Sequence, residues 1–172
     1  MDTQPKGKLD APGKSVKRGS LLFVDDEPSI CRVCATLFGV MEGYEVHMAF
    51  NAYDAFRILG RHEIHVVVTN VRMPPMDGLK MSELIRLEFP ACAVIILTAY
   101  WAGGHWFPLA AEAGVSDIVF KPFKIGYLTY SVEAAVRIGP SWRSDFVQAL
   151  LAGASEEYIQ ALLRRRDAGP EA

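Results

Sequence analysis

Five short strand-like segments, separated by stretches of helical period, constrain this chain more than any other feature. They are Leu21 to Val24, Tyr44 to Ala49, Ile64 to Thr69 with Val66-Val67-Val68 at its centre, Ala93 to Leu97 and Ile118 to Phe120. Leu21 to Val24 is a short continuous apolar run, the mark of a strand buried on both faces. Between them lie amphipathic segments. Pro28 suits a first helical turn, and Ile30, Val33, Cys34, Leu37, Phe38 and Met41 then follow at helical spacing, until Gly43 interrupts. Asn51 is a good N-cap for a helix to about Leu59. Further helices are predicted from about Leu79 to Phe89 and from about Lys124 to Ile138. Strands that alternate with helices imply an α/β fold with a five-stranded parallel sheet covered on both faces. In such sheets ligands bind beyond the carboxyl ends of the strands, so the residues at those ends matter most.

Those ends carry chemistry. Asp25 and Asp26 follow the first strand, Asn70 the third, Thr98 the fourth and Lys121-Pro122 the fifth. Two adjacent carboxylates repel each other unless they are solvated or hold a cation, and a set of oxygen donors suits Mg²⁺. A lysine and a hydroxyl nearby suit an anion such as a phosphoryl group. Taken alone, Asp25 to Pro28 read equally well as a helix start.

The combination goes further. Val24-Asp25-Asp26-Glu27-Pro28, Asn70-Val71-Arg72-Met73-Pro74-Pro75-Met76-Asp77-Gly78, Ile96-Leu97-Thr98-Ala99-Tyr100 and Phe120-Lys121-Pro122-Phe123 resemble, in order and spacing, the motifs of the response-regulator receiver family. The resemblance covers roughly Leu21 to Ile138. It implies a (βα)₅ fold of flavodoxin-like topology and a place in two-component signalling, with a histidine kinase or a downstream effector as partner. It also implies that Asp25 and Asp26 hold Mg²⁺, that the Arg72 backbone carbonyl is a further ligand, and that Thr98 and Lys121 face the phosphoryl group. The peptide bond before Pro122 is often cis in that family.

Three departures qualify the resemblance. Asn70 stands where the family has its phosphoacceptor aspartate. A neutral amide is a poor nucleophile, and it takes one anionic ligand from Mg²⁺, so any metal binding should weaken. Thr69 is one strand position away, so its side chain should point to the other face. Ile118 replaces the aromatic ring that swings inward when family members are phosphorylated, and isoleucine simply packs. Finally, Gly103-Gly104 and Pro108 oppose the regular helix the family has there. A loop and a short helix from about Leu109 to Ala113 are expected instead. Trp101, Trp106 and Phe107 then read either as an exposed anchor for a partner or as rings folded back over the core.

Residues 1–19 form an expected disordered tail, bearing Lys6, Lys8, Lys14, Lys17 and Arg18 against Asp2 and Asp10 and almost no large apolar side chain. Residues 20–138 form the receiver unit. Residues 139–172 form a helical extension, with Ser141 capping one helix to Leu151 and Ser155 capping another to about Arg166. A hairpin for partner docking or for pairing with a second copy is the expected use. Leu150 to Ile159 faintly resemble the first turn of a LuxR-type helix-turn-helix, but too few residues follow for a recognition helix.

The formal net charge of −2 gives no general attraction to nucleic acid or anionic membrane. No apolar run nears the roughly 20 residues of a membrane span. Cys31, Cys34 and Cys92 make no disulfide framework, and Cys31-x-x-Cys34 packs as a pair of small hydrophobes on a helix face. With no export signal, a cytoplasmic protein is expected. His47, His62, His65 and His105 show no ligand spacing. The leading expectation is a non-enzymatic, phosphorylation-independent pseudo-receiver. An ordinary phosphoacceptor regulator with an Asp→Asn substitution at position 70, and a DNA-binding regulator with a truncated motif, stay open.

Overall fold

A computed structural model of the chain describes residues 17–100 and 105–168. Five parallel strands, β1 (Ser20–Val24), β2 (Glu45–Ala49), β3 (Val66–Thr69), β4 (Ala93–Thr98) and β5 (Asp117–Phe120), form one sheet in the order β2-β1-β3-β4-β5. That order is the flavodoxin-like one. Helices α1 (Pro28–Ala35), α2 (Ala52–Leu59), α3 (Gly78–Glu88), α4 (Phe107–Glu112) and α5 (Ile125–Ile138) alternate with the strands. Two more, α6 (Asp145–Leu151) and α7 (Glu156–Ala168), complete the extension.

Strand alternation divides the core. Leu22, Val24, Val67, Val94, Ile96 and Ile118 face one layer, built by α2, α3, α4 and the extension. Leu21, Phe23, Val66, Val68, Ile95 and Val119 face the other, built by α1 and α5. Every residue of β1, β3 and β4 is buried, which is why these strands read as unbroken apolar runs. Thr69 is fully buried, and its hydroxyl donates to the Asn70 carbonyl at 2.9 Å.

Several local expectations change. After Ala35 the first helix widens into π winding over Thr36–Met41. Cys31, Cys34 and Phe38 are the residues it buries, while Val33 and Met41 point to solvent. Val33 lies in the regular turns before the π winding, on the face opposite Cys31 and Cys34, and Met41 lies at the end of the widened turns. The fourth helix starts at Phe107, two residues earlier than expected, with Pro108 in its first turn, where the missing N–H costs nothing. The sixth helix starts at Asp145 rather than near Ser141, and Ser144 is its cap, accepting from the Val147 N–H at 3.3 Å. Of the expected tail, Lys17 to Gly19 are described. Arg18 bridges Glu42 at 3.1 Å and Glu133 at 2.5 Å. The rest of the tail, Trp101 to Gly104, and the last four residues lie outside the described residues.

Candidate functional site

Parallel strands deliver their carboxyl ends to one edge, and backbone pairing continues one residue past them. The Asp25 N–H donates to the Ala49 carbonyl at 3.2 Å, the Asn70 N–H to Val24 at 2.9 Å, and the Lys121 N–H to Thr98 at 2.8 Å. The side chains that follow are therefore held by the sheet, not by loose loops. Lys121-Pro122 and Pro74-Pro75 are both cis.

Asp25 is almost wholly buried, at 4% exposure. One carboxylate oxygen accepts from the Glu27 N–H at 2.9 Å and the other from Lys121 Nζ at 2.5 Å. A buried carboxylate needs such partners to offset its lost hydration. Asp26 is exposed. Asn70 turns its NH₂ toward it: Nδ2 lies 3.4 Å from Asp26 Oδ1 and 3.3 Å from the Arg72 carbonyl. Its Oδ1 accepts from the Val71 N–H at 2.9 Å. The amide orientation is thereby set, because reversing it would place NH₂ against N–H and a carbonyl against two acceptors. Gly78 closes the loop behind it. A Cβ there would lie 1.9 Å from the Asn70 carbonyl oxygen, so only glycine fits.

Thr98 is fully buried, and its hydroxyl accepts from the Tyr100 N–H at 3.0 Å. The structure thus brings Asp25 to Lys121, and Asp26 and the Arg72 carbonyl to Asn70. The Thr98 hydroxyl bonds within its own turn. Sequence reasoning missed the Arg72 side chain, whose guanidinium lies 4.4 Å above the Tyr100 ring, itself stacked on Trp106 at 6.1 Å.

Trp106 and Phe107 are not an exposed anchor. Both are buried, at 7% and 4% exposure, against the same core as Ile118. The early start of α4 turns them inward, and the extension supplies their cover. Phe146 of α6 lies 5.6 Å from the Phe107 ring and 6.3 Å from Phe120. Trp101 lies outside the described residues. The extension is also pinned by polar contacts. Buried Asp117 accepts from Ser144 Oγ at 2.6 Å, Ser131 Oγ at 2.6 Å and Tyr127 Oη at 2.8 Å. A lone acidic residue opening a buried strand was the sequence signal for this node. Between α5 and the extension lies a groove of about 1170 Å³, lined by Tyr127, Tyr130 and Trp142 together with Lys124, Arg143 and Arg165.

The cysteines are free thiols. Burial pushes Cys31 up to about 11 and Cys34 and Cys92 up to about 12, so they are inert packing groups. The histidines do form a cluster that spacing did not reveal: His47 and His62 meet with ring centres 4.3 Å apart. Among the described residues no helix is long and apolar enough to cross a membrane.

Comparison with known proteins agrees with this geometry. The sequence profile of the response regulator receiver domain matches residues 21–133. The regulatory protein AtoC of Escherichia coli (strain K12) is 34% identical over 118 residues, covering 69% of this chain and 25% of AtoC. The transcriptional regulatory protein GlrR of the same organism is 32% identical over 123 residues, 71% of this chain and 27% of GlrR. The chain thus spans about a quarter of the length of these relatives. Among solved structures, the response regulator protein TrrA from Thermotoga maritima, in complex with Mg²⁺ and BeF, is 28% identical with a TM-score of 0.61, covering 68% of this chain and 98% of that one.

Proposed function

The chain belongs to the response-regulator receiver family of two-component signalling, and from that premise we propose that it is a pseudo-receiver, a non-enzymatic binding module whose phosphoryl switch is disabled. The observation that carries this reading is the Asn70 amide. Its NH₂ points between Asp26 Oδ1 and the Arg72 carbonyl, the oxygens that the family resemblance assigns to Mg²⁺. A donor N–H and a cation compete for the same lone pairs, and the Val71 N–H holds the amide in that orientation. Lys121 is meanwhile neutralised on Asp25. The residues as arranged do not fit a divalent cation, and no carboxylate stands at position 70 to attack a phosphoryl donor.

Signalling then rests on protein contact. Fully buried Ile118 has no ring to swing between two positions, and the α4–β5 face is covered by α6. The groove beside α5 has an aromatic lining with Lys124, Arg143 and Arg165 against one carboxylate, Asp145, an excess of positive charge that favours an acidic segment of a kinase or effector. Incubation with acetyl phosphate, or with beryllofluoride and Mg²⁺, tests the reading. The expected result is no acyl phosphate by mass and no change in tryptophan fluorescence. A stoichiometric acid-stable, base-labile phosphorylation would refute it.

A further inference from the structure

A second cluster lies away from the receiver pocket, on the edge strand. Glu45 and His47 are two residues apart on β2 and so share a face. His62 follows α2 and is exposed, with its backbone N–H anchored on the Ile58 carbonyl at 3.0 Å. One ligand atom from each of the three lies within 4.8 Å of the others. Glu45 Oε1 is 3.2 Å from His47 Nε2. Nε2 is buried, makes no hydrogen bond of good geometry among the described residues, and has the Glu45 carboxylate as the group facing it. An orphaned buried nitrogen is uncommon and calls for a ligand.

The spacing suits a metal ion. Two donors held at about 2.0–2.1 Å from Zn²⁺ with tetrahedral angles stand about 3.3 Å apart, close to the 3.2 Å between Nε2 and Oε1. The Lys17 ammonium is bonded to the other Glu45 carboxylate oxygen at 2.8 Å, which leaves Oε1 as the oxygen facing His47. His62, being exposed, can turn to close the remaining distance without disturbing packing. The buried thiols are protonated and do not compete.

We propose that Glu45, His47 and His62 form a site for a divalent transition-metal ion of the Zn²⁺ class, with two imidazole nitrogens and one carboxylate oxygen as ligands and a fourth position open to water. Nitrogen ligands exclude Mg²⁺ as the natural occupant. The bound ion ties β2, the strand at the sheet edge, to the turn that precedes β3.

The test is a titration of the full chain with Zn²⁺ against a chromophoric chelator, in excess Mg²⁺. One equivalent should bind per chain. His47→Ala and His62→Ala should each weaken binding by about tenfold or more, while His105→Ala, at an exposed position elsewhere, should leave it unchanged. Circular dichroism checks the fold. If His47→Ala does not fold, His62→Ala decides the matter, because that side chain is exposed and supports no core. Absence of stoichiometric binding, or Zn²⁺ affinity that is the same in His62→Ala as in the parent, overturns the proposal.

Discussion

Replacing Asn70 by aspartate isolates what the amide does. In the parent, Nδ2 is a donor 3.4 Å from Asp26 Oδ1 and 3.3 Å from the Arg72 carbonyl. In Asn70→Asp an anionic oxygen takes its place. The Lys121 ammonium is already paired with Asp25 at 2.5 Å, so the new carboxylate has to share it. Two unit charges 3.4 Å apart repel by about 1.2 kcal/mol in bulk water and by about 5 kcal/mol at an effective dielectric constant of ~20. Asp26 is exposed, so the lower end applies, and salt screens it further. Losing two long hydrogen bonds adds about 1 kcal/mol. The variant should be about 2–3 kcal/mol less stable in chelator at low salt. Mg²⁺ should restore that loss, since a ligand at about a hundred times its dissociation constant adds about 2.7 kcal/mol. Urea unfolding followed by circular dichroism reads both effects, at about 1 M or more in midpoint for a typical slope. An unchanged midpoint in chelator would refute the electrostatic reasoning. So would a parent that Mg²⁺ stabilises as much as the variant.

Three other outcomes can be checked. Phe146→Ala should cost about 3–5 kcal/mol in the same unfolding assay, because its ring fills the layer over Phe107 and Phe120; a loss under 1 kcal/mol would mean that α6 is not part of the core. Gly78→Ala should destabilise by about 2 kcal/mol or more, since its Cβ would meet backbone at 1.9 Å; its melting temperature reports this directly. The three thiols should resist a disulfide reagent at pH 8 in the native state and react at once in urea. As pH rises from 9 toward 11–12, the unfolded chain loses thiol protons that the native chain keeps. Stability should therefore fall across that window, and a Cys31→Ala, Cys34→Ala, Cys92→Ala variant should show a smaller fall.

The strands, the strand-end residues and the capping of α2 by Asn51 were legible in sequence because each rests on a local rule. A strand buried on both faces must be apolar throughout, and a cap must carry a short polar acceptor. The rest depends on partners distant in sequence. Whether Trp106 and Phe107 face solvent is decided by Phe146, far along the chain. Ser144 rather than Ser141 caps α6 because its hydroxyl also has Asp117 to bond. His47 and His62 meet only because α2 returns the chain to the edge strand. No periodicity encodes such encounters. Residue type still hinted at one of them, since Asp117 is a carboxylate where an apolar residue would have sufficed.

Strand β5 joins these observations. At its start Asp117 accepts from Ser131 and Ser144 and from Tyr127, on α5 and at the head of α6. In its middle Ile118 packs beneath Trp106, Phe107 and Phe146. Just past its end Lys121 is paired with Asp25. A switch needs an element with two packings that differ by only a few kcal/mol, each favoured by a different ligand state. Here a buried ion pair fixes one end of the strand, and three side-chain hydrogen bonds to a buried carboxylate fix the other. Moving β5 would break both, and breaking a buried pair alone costs about 3–5 kcal/mol. On the reading proposed above, Asn70 takes away the phosphoryl group that would be asked to supply that energy. The amide and the covered α4–β5 face then belong to one proposed condition: a receiver scaffold held in a single packing.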